Sequence, residues 1–257
     1  MCLILFAWRA NARYELVLAA NRDEFHDRPA APAGFWPDAP DILAGRDLEA
    51  GGTWLGITRS RRFAALTNYR DPAHQLPQAP SRGLLINRFL TGNAPPADYL
   101  EQLQKTAHRY NGFNLLVATT DELGYMSNQG DAPQLLPPGI YGLANARLDS
   151  PCDKVQRSKR RLAGLLDAGD VNDTSLMRLL GDRDKGPPGE VDASRLPFAT
   201  AHATTAPFIV MPEFGTRCST LVSASARGSW RFLERRFDPA GINAGESTFS
   251  FAAGEDP

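Results

Sequence analysis

Two apolar runs near the amino terminus, Leu3–Trp8 and Tyr14–Ala20, set the strongest limit on how this chain folds. The first is too short to cross a bilayer as a helix, which needs about 20 residues. Unbroken apolar runs of strand length require cover on both faces. Asn11-Ala12 between them suits a turn, so the pair reads as a hairpin buried inside a layered protein. With 257 residues, a single large core can supply that cover.

The same patterning continues along the chain. Gly51-Gly52 opens a strand at Thr53–Thr58, and Arg61-Arg62 precedes another at Phe63–Tyr69. Ser81 is placed to N-cap a helix carrying Leu84, Leu85 and Phe89, and Pro95-Pro96 to start one carrying Tyr99, Leu100, Leu103 and Ala107. Strands return at Phe113–Thr119, Leu123–Ser127 and Ile140–Asn145. A long helix follows from Asp153 to Asp167, with Val155, Leu162, Leu165 and Leu166 inward and Lys154, Arg157, Arg160 and Arg161 on its wet side. A short helix lies around Ser175–Leu180. Asp182–Pro207, rich in Pro, Gly, Asp and Thr, reads as a long irregular connection, the composition of a lid, a binding loop or a disordered insertion. Strands resume at Phe208–Met211, Thr216–Ala224, Trp230–Phe237 and near Thr248–Phe251.

No repeat and no linker divides this order, which predicts one domain over residues 1–257. Strand clusters, then helices, then strands predict α+β layers, with two sheets packed on each other and helices outside both. The net charge of -1 offers no field to gather nucleic acid or an anionic membrane. Cys2, Cys152 and Cys218 are odd in number and lack CxxC spacing, which argues against a disulfide framework and a cysteine zinc site. His26, His74, His108 and His202 lack metal-ligand spacing, so no metal is expected. No basic stretch precedes the first apolar run, as a signal peptide would require. A soluble, cytoplasmic protein without a transmembrane segment is the expectation.

Cys2 is the first residue with chemistry in view. Loss of Met1, the usual fate of a methionine before a small side chain, leaves Cys2 with a thiol and a free α-amine. That amine has a reference pKa of about 7.7–8.0, so one residue supplies both nucleophile and base. An ordinary buried strand cysteine is the competing reading. Asn21-Arg22-Asp23-Glu24 follows the second apolar run and poses a similar choice. Either Asn21 or Asp23 stands beside the Cys2 end of the neighbouring strand, with Arg22 fixing an anionic group, or the four form a turn in which Arg22 or Arg28 satisfies Asp23. Asn68 and Arg70, Asn145 and Arg147, and Arg217 also lie at the ends of predicted core strands. That recurrence favours a shared pocket, since Asn amides suit a developing oxyanion. Trp54 reads as core, or as a pocket wall.

These residues carry a resemblance. Met1-Cys2-Leu3-Ile4, Ala20-Asn21-Arg22-Asp23-Glu24-Phe25, Arg28-Pro29, Gly51-Gly52-Thr53-Trp54-Leu55-Gly56 and Leu66-Thr67-Asn68-Tyr69 resemble the NRDE family, also called transport and Golgi organisation protein 2-like. Ser81-Arg82-Gly83, Tyr110-Asn111-Gly112-Phe113-Asn114-Leu115, Tyr141-Gly142-Leu143 with Asn145, and Gly215-Thr216-Arg217 extend it over nearly the whole chain. Ala144 and Cys152 depart from its pattern, which often has Ser and Trp there. The resemblance implies a four-layer αββα sandwich of two stacked antiparallel sheets flanked by helices, the N-terminal nucleophile hydrolase-like fold. It also implies distant kinship with cysteine amidases. By that kinship Cys2, Asp23, Asn68 and Asn145 are the candidate catalytic residues, and Asn21, Arg22, Arg217 and Trp54 the candidate substrate-binding ones. A hydrolase of a small amide or thioester, needing no cofactor, is the first expectation. The alternative is a carrier for haem or an acyl-CoA or other lipid, with haem as cargo.

Overall fold

The computed structural model describes residues 2–69, 75–191 and 197–251. Met1, Arg70, His74 and the middle of the Asp182–Pro207 connection lie outside the described residues. In chain order the strands are β1 (Leu3–Asn11), β2 (Tyr14–Phe25), β3 (Ala30–Trp36), β4 (Ala39–Asp47), β5 (Leu55–Thr58) and β6 (Phe63–Asn68). Then come β7 (Phe113–Ala118), β8 (Leu123–Ser127), β9 (Asp131–Leu135), β10 (Gly139–Leu143), β11 (Phe214–Ser225), β12 (Trp230–Phe237) and β13 (Asn243–Phe251). The helices are α1 (Gly83–Thr91), α2 (Pro96–Gln104), α3 (Asp153–Asp167), α4 (Asp173–Leu180) and α5 (Phe198–Ala203).

Contacts divide the chain into two compact units. The first carries a six-stranded antiparallel sheet in the order β10-β1-β2-β11-β12-β13, with α3, α4 and α5. The β1–β2 hairpin forms as its sequence requires. Asn11 closes the turn, its side-chain oxygen accepting from the backbone N–H of Arg13 and Tyr14. Leu3 through Trp8 are all buried, as an unbroken apolar strand demands. Leu3, Leu5, Val17, Ala19, Leu221 and Leu233 pack on one side against Val155 and Leu162 of α3 and Leu176, Leu179 and Leu180 of α4. Ile4, Phe6, Leu18, Val222 and Phe232 alternate with them and are buried on the other face. At the start of α4, Asn172 and Ser175 form a reciprocal capping box.

The second unit carries a seven-stranded antiparallel sheet in the order β3-β4-β5-β6-β7-β8-β9, with α1 and α2. Leu85, Ile86 and Phe89 of α1 and Leu100 of α2 pack with Leu66, Leu115, Val117 and Met126 of the sheet. A Cβ on Gly52 would meet the Gly83 carbonyl carbon at 2.8 Å, so the Gly51-Gly52-Thr53 turn lies backbone to backbone on the start of α1.

Several elements differ from the sequence reading. Asn21–Phe25 is not a turn after a strand but the continuation of β2, because β11, distant in sequence, supplies backbone partners along its length. Strands β3, β4 and β9 were not expected. Pro32 and Pro133 fall in β3 and β9, the two edges of the sheet, where a missing N–H costs no ladder bond. Helix α1 is capped at Arg82 rather than Ser81, and Leu84 is exposed while Ile86 and Leu90 take the inward positions. Strand β10 ends at Leu143, leaving Asn145 in the segment that follows. Phe208–Met211 forms no strand beyond a bridge between Val210 and Gly215, since Phe208 N–H turns to the Asp182 carbonyl instead. Lys154 is not on the wet side of α3 but buried.

Candidate functional site

In the first unit, three neighbouring strands gather most of the residues that the sequence singled out. Leu3 pairs with Asn21, and Asn21 with Ser219. One step along, Arg22 pairs with Cys218, and the next pair is Asp23 with Thr216. Arg217 falls between these two pairs, where the register shifts and the strand bulges. Cys2 immediately precedes β1 and lies at the same end of the sheet.

Cys2 is buried, and burial pushes its thiol above the ordinary value. The Asp23 charge pushes it the same way, while the amino-terminal charge first, then the Asp23 backbone N–H, donating to the sulfur, and the Arg22 guanidinium work against the rise. Burial therefore favours the thiol form of Cys2 over the thiolate. Cys218, across Arg22, is pushed well up by burial and by the charge of buried Glu234, with Arg22 again opposing.

Asp23 is 3 % exposed. Its Oδ1 accepts from Thr216 Oγ1 at 2.7 Å. Thr216 Oγ1 in turn accepts the Ile209 N–H at 2.9 Å, so its single proton is committed to the carboxylate. Burial raises the Asp23 pKa; the amino-terminal charge, Lys154 and the Thr216 hydroxyl pull it down, and Glu24 adds to the rise.

Asn21 is 0 % exposed, and its polar atoms are spent within the unit. Nδ2 donates to Leu180 O at 2.9 Å and Pro207 O at 2.8 Å, and Oδ1 accepts from Ser219 Oγ at 2.6 Å. In this geometry Asn21 is a brace between β2, α4 and the segment before β11. Arg22 is buried, with Glu24 at 3.9 Å. Arg217 donates through Nη1 to Phe25 O at 2.7 Å. Arg28 pairs with Asp47 at 2.7 Å in the second unit.

Lys154 is the functional candidate that the sequence reading missed. It is 6 % exposed, and its Nζ donates to Thr204 O at 3.2 Å. One signal for it was present. The residue lies in the first turn of α3, where a cation opposes the helix dipole and is out of place unless something else holds it.

The remaining candidates belong to the second unit. Asn145 Nδ2 donates to Asn68 O at 2.7 Å, bringing these two together. Asn145 Oδ1 is buried without a hydrogen-bond partner among the described residues. Asn114, fully buried, ties the same turn to the sheet, donating to Ala146 O and Thr67 Oγ1 and accepting from the Tyr125 hydroxyl. Trp54 is half-buried just before β5, its carbonyl accepting the Leu66 N–H.

A separate cavity of about 440 Å³ in the first unit is lined by Tyr14, Val171, Asp173, Leu176, Leu221 and Arg231, among others. None of the residues singled out from the sequence lines it, and its Arg231 is ion-paired with Asp173. Among the described residues no group of three or more His, Cys, Asp or Glu is placed to hold a metal, and no helix is long and apolar enough to cross a membrane.

Comparison with known proteins places this geometry in context. Residues 1–239 match the family described as Transport and Golgi organisation 2. The human Transport and Golgi organization protein 2 homolog is 36% identical over 258 residues, covering 91% of this chain and 92% of its own length. The Drosophila melanogaster Transport and Golgi organization protein 2 is 29% identical over 273 residues, 94% of this chain and 95% of its own. Among solved structures, a C2A mutant of the conjugated bile acid hydrolase from Clostridium perfringens is similar with a TM-score of 0.50 at 8% identity, covering 97% of this chain and 92% of that one. At that identity the likeness concerns the fold. The α+β, N-terminal nucleophile hydrolase-like class expected from the sequence is the class of this chain.

Proposed function

The chain belongs to the Transport and Golgi organisation 2 family, and from that premise we propose that it is a cysteine N-terminal nucleophile-type hydrolase of a small amide or thioester. The observation that carries the reading is the seating of Cys2. Its sulfur meets the backbone N–H of Asp23, and the Asp23 carboxylate is fixed by the oriented Thr216 hydroxyl.

After Met1 is removed, the Cys2 α-amine takes the thiol proton as sulfur attacks the substrate carbonyl. The ammonium so formed returns the proton to the leaving amine or thiol as the tetrahedral intermediate collapses. A thioester to Cys2 remains, and water, deprotonated by the same amine, releases the acid and the free thiol. Asp23 accepts a hydrogen bond from the amine and holds it toward the sulfur. A thiol raised by burial suits this scheme, because it stays protonated until the base acts with the substrate in place. Asn68 and Asn145 keep their assignment as oxyanion donors from the family resemblance alone, and the proposal stands on the first unit without them.

Intact-mass measurement of the purified protein establishes whether Met1 is lost. The processed protein and Cys2→Ala are then compared across a panel of amides and thioesters. Turnover by the processed protein is expected to fall by about a thousandfold or more in the variant, the scale on which nucleophile removal is felt. Equal turnover by the two proteins, or none by either across the panel, overturns the assignment.

A further inference from the structure

Lys154 has no place in the chemistry so far, yet its burial demands a counterpart. An ammonium taken out of water is costly unless an opposite charge or a full set of acceptors receives it. Its single hydrogen bond among the described residues, to Thr204 O, uses one of three donors and supplies no charge. The bond instead fixes where the ammonium sits. Thr204 begins a largely buried strap, Thr204–Ile209, that meets β2 at Asn21 and β11 at Thr216. Asn21 Nδ2 holds this strap at Pro207 O, and the Ile209 N–H donates to Thr216 Oγ1, the hydroxyl bound to Asp23. Lys154 is thus pinned to one end of a segment whose other end is pinned to Asp23's partner. Both ionisable groups are more than nine-tenths buried within the same unit.

We propose that Lys154 is a positioning residue, the counter-charge that keeps Asp23 ionised in its buried seat. The other groups acting on Asp23 are the amino-terminal charge and Cys2 from the β1 side and Glu24 from its own strand; from β11 it receives the neutral Thr216 hydroxyl. From α3 the group that acts on it is Lys154. The catalytic meaning of the pairing rests on the hydrolase reading. A carboxylate can hold the Cys2 amine only while ionised, and a second cation beside it discourages the α-ammonium, leaving more amine free to accept the thiol proton. The pairing itself does not depend on turnover.

Its test is therefore a titration rather than an assay of activity. Protein carrying ¹³C-carboxyl aspartate is followed by NMR from acid to neutral pH, with Asp23→Asn assigning the resonance. Lys154→Gln keeps a donor for Thr204 O but removes the charge, and Lys154→Arg keeps the charge. The Asp23 midpoint is expected below neutrality in the unmodified protein, about one pH unit higher in Lys154→Gln, and close to its original place in Lys154→Arg. An equal midpoint in Lys154→Gln, or a midpoint above neutrality in the unmodified protein, overturns the proposal. If Lys154→Gln does not fold, the unmodified protein with ¹⁵N-labelled lysine decides. The Lys154 Nζ resonance must move at the Asp23 midpoint, and a resonance indifferent to that transition refutes the pairing. Failure of the Cys2→Ala comparison would leave these titrations unchanged, so the two claims fail separately.

Discussion

Replacing Asn21 by alanine measures how firmly the strand bearing Asp23 is braced. The change removes one side chain and strips three buried partners, Leu180 O, Pro207 O and Ser219 Oγ. A buried polar group left without its hydrogen bond costs about 1–3 kcal/mol. The Ser219 hydroxyl can rotate toward another acceptor and belongs at the low end, whereas the two carbonyls are fixed by their backbones. The sum is about 3–7 kcal/mol. At about 2–4 °C per kcal/mol for a chain of this size, the melting temperature should fall by about 6–28 °C. Two compact units need not melt in one transition, so calorimetry should be paired with hydrogen exchange read on β2 and β11 peptides. Those peptides should lose protection first. A companion Ser219→Ala replacement should be non-additive with Asn21→Ala by about 1 kcal/mol, because it removes the orphaned hydroxyl. A melting drop under about 2 °C, or an additive pair, would show that Asn21 braces nothing.

Asp23→Asn is expected to stabilise the protein at neutral pH while abolishing the proposed turnover. Burial raises the Asp23 pKa, so the folded state binds its proton more tightly than the unfolded state. Native stability must then decline as pH rises from the ordinary carboxylate range to the folded value, and level off above it. The gap between variant and parent should widen with pH over that window, and melting curves that stay parallel from acid to neutral pH would contradict it. Alkylation by iodoacetamide, mapped by mass spectrometry, should reach half-exposed Cys152 before Cys2 and Cys218, both buried and both raised. Labelling of Cys2 as fast as Cys152 in the native protein would show its seat to be open.

Much of the fold is legible where the sequence signal is local. The β1–β2 hairpin, the α3 helix and the β7–β8 pair follow from runs, caps and turns that lie within a few residues of one another. The family resemblance names Cys2, Asp23 and Arg217 together as candidates, and the strand register sets them toward one end of one sheet. What local patterning misses are partners far along the chain. The strand character of Asn21–Phe25 depends on β11, and nothing near residue 21 announces it. Prolines made β3 and β9 look unlike strands because edge position, which excuses them, is a property of the assembled sheet. Lys154 was assigned to solvent because helical periodicity treats every lysine as polar surface. The acceptor and the counter-charge that permit its burial come from residues 50 positions later and 131 positions earlier.

The contrast between Asn21 and Asp23, two residues apart on the same strand, bears on function directly. Asn21 gives every polar group it has to neighbours and returns stability for its burial. Asp23 is an ionisable acid in nearly the same surroundings, and burial makes its charged form costly there. Asparagine in its place would fit the Thr216 hydroxyl equally well and avoid that cost. A fold that served only as a scaffold would therefore gain from the neutral residue. Keeping an ionisable group there, with a lysine drawn out of water to face it, makes physical sense when the carboxylate has a cation of its own to hold. On the proposed reading, that cation is the amine that Cys2 would carry once Met1 is removed.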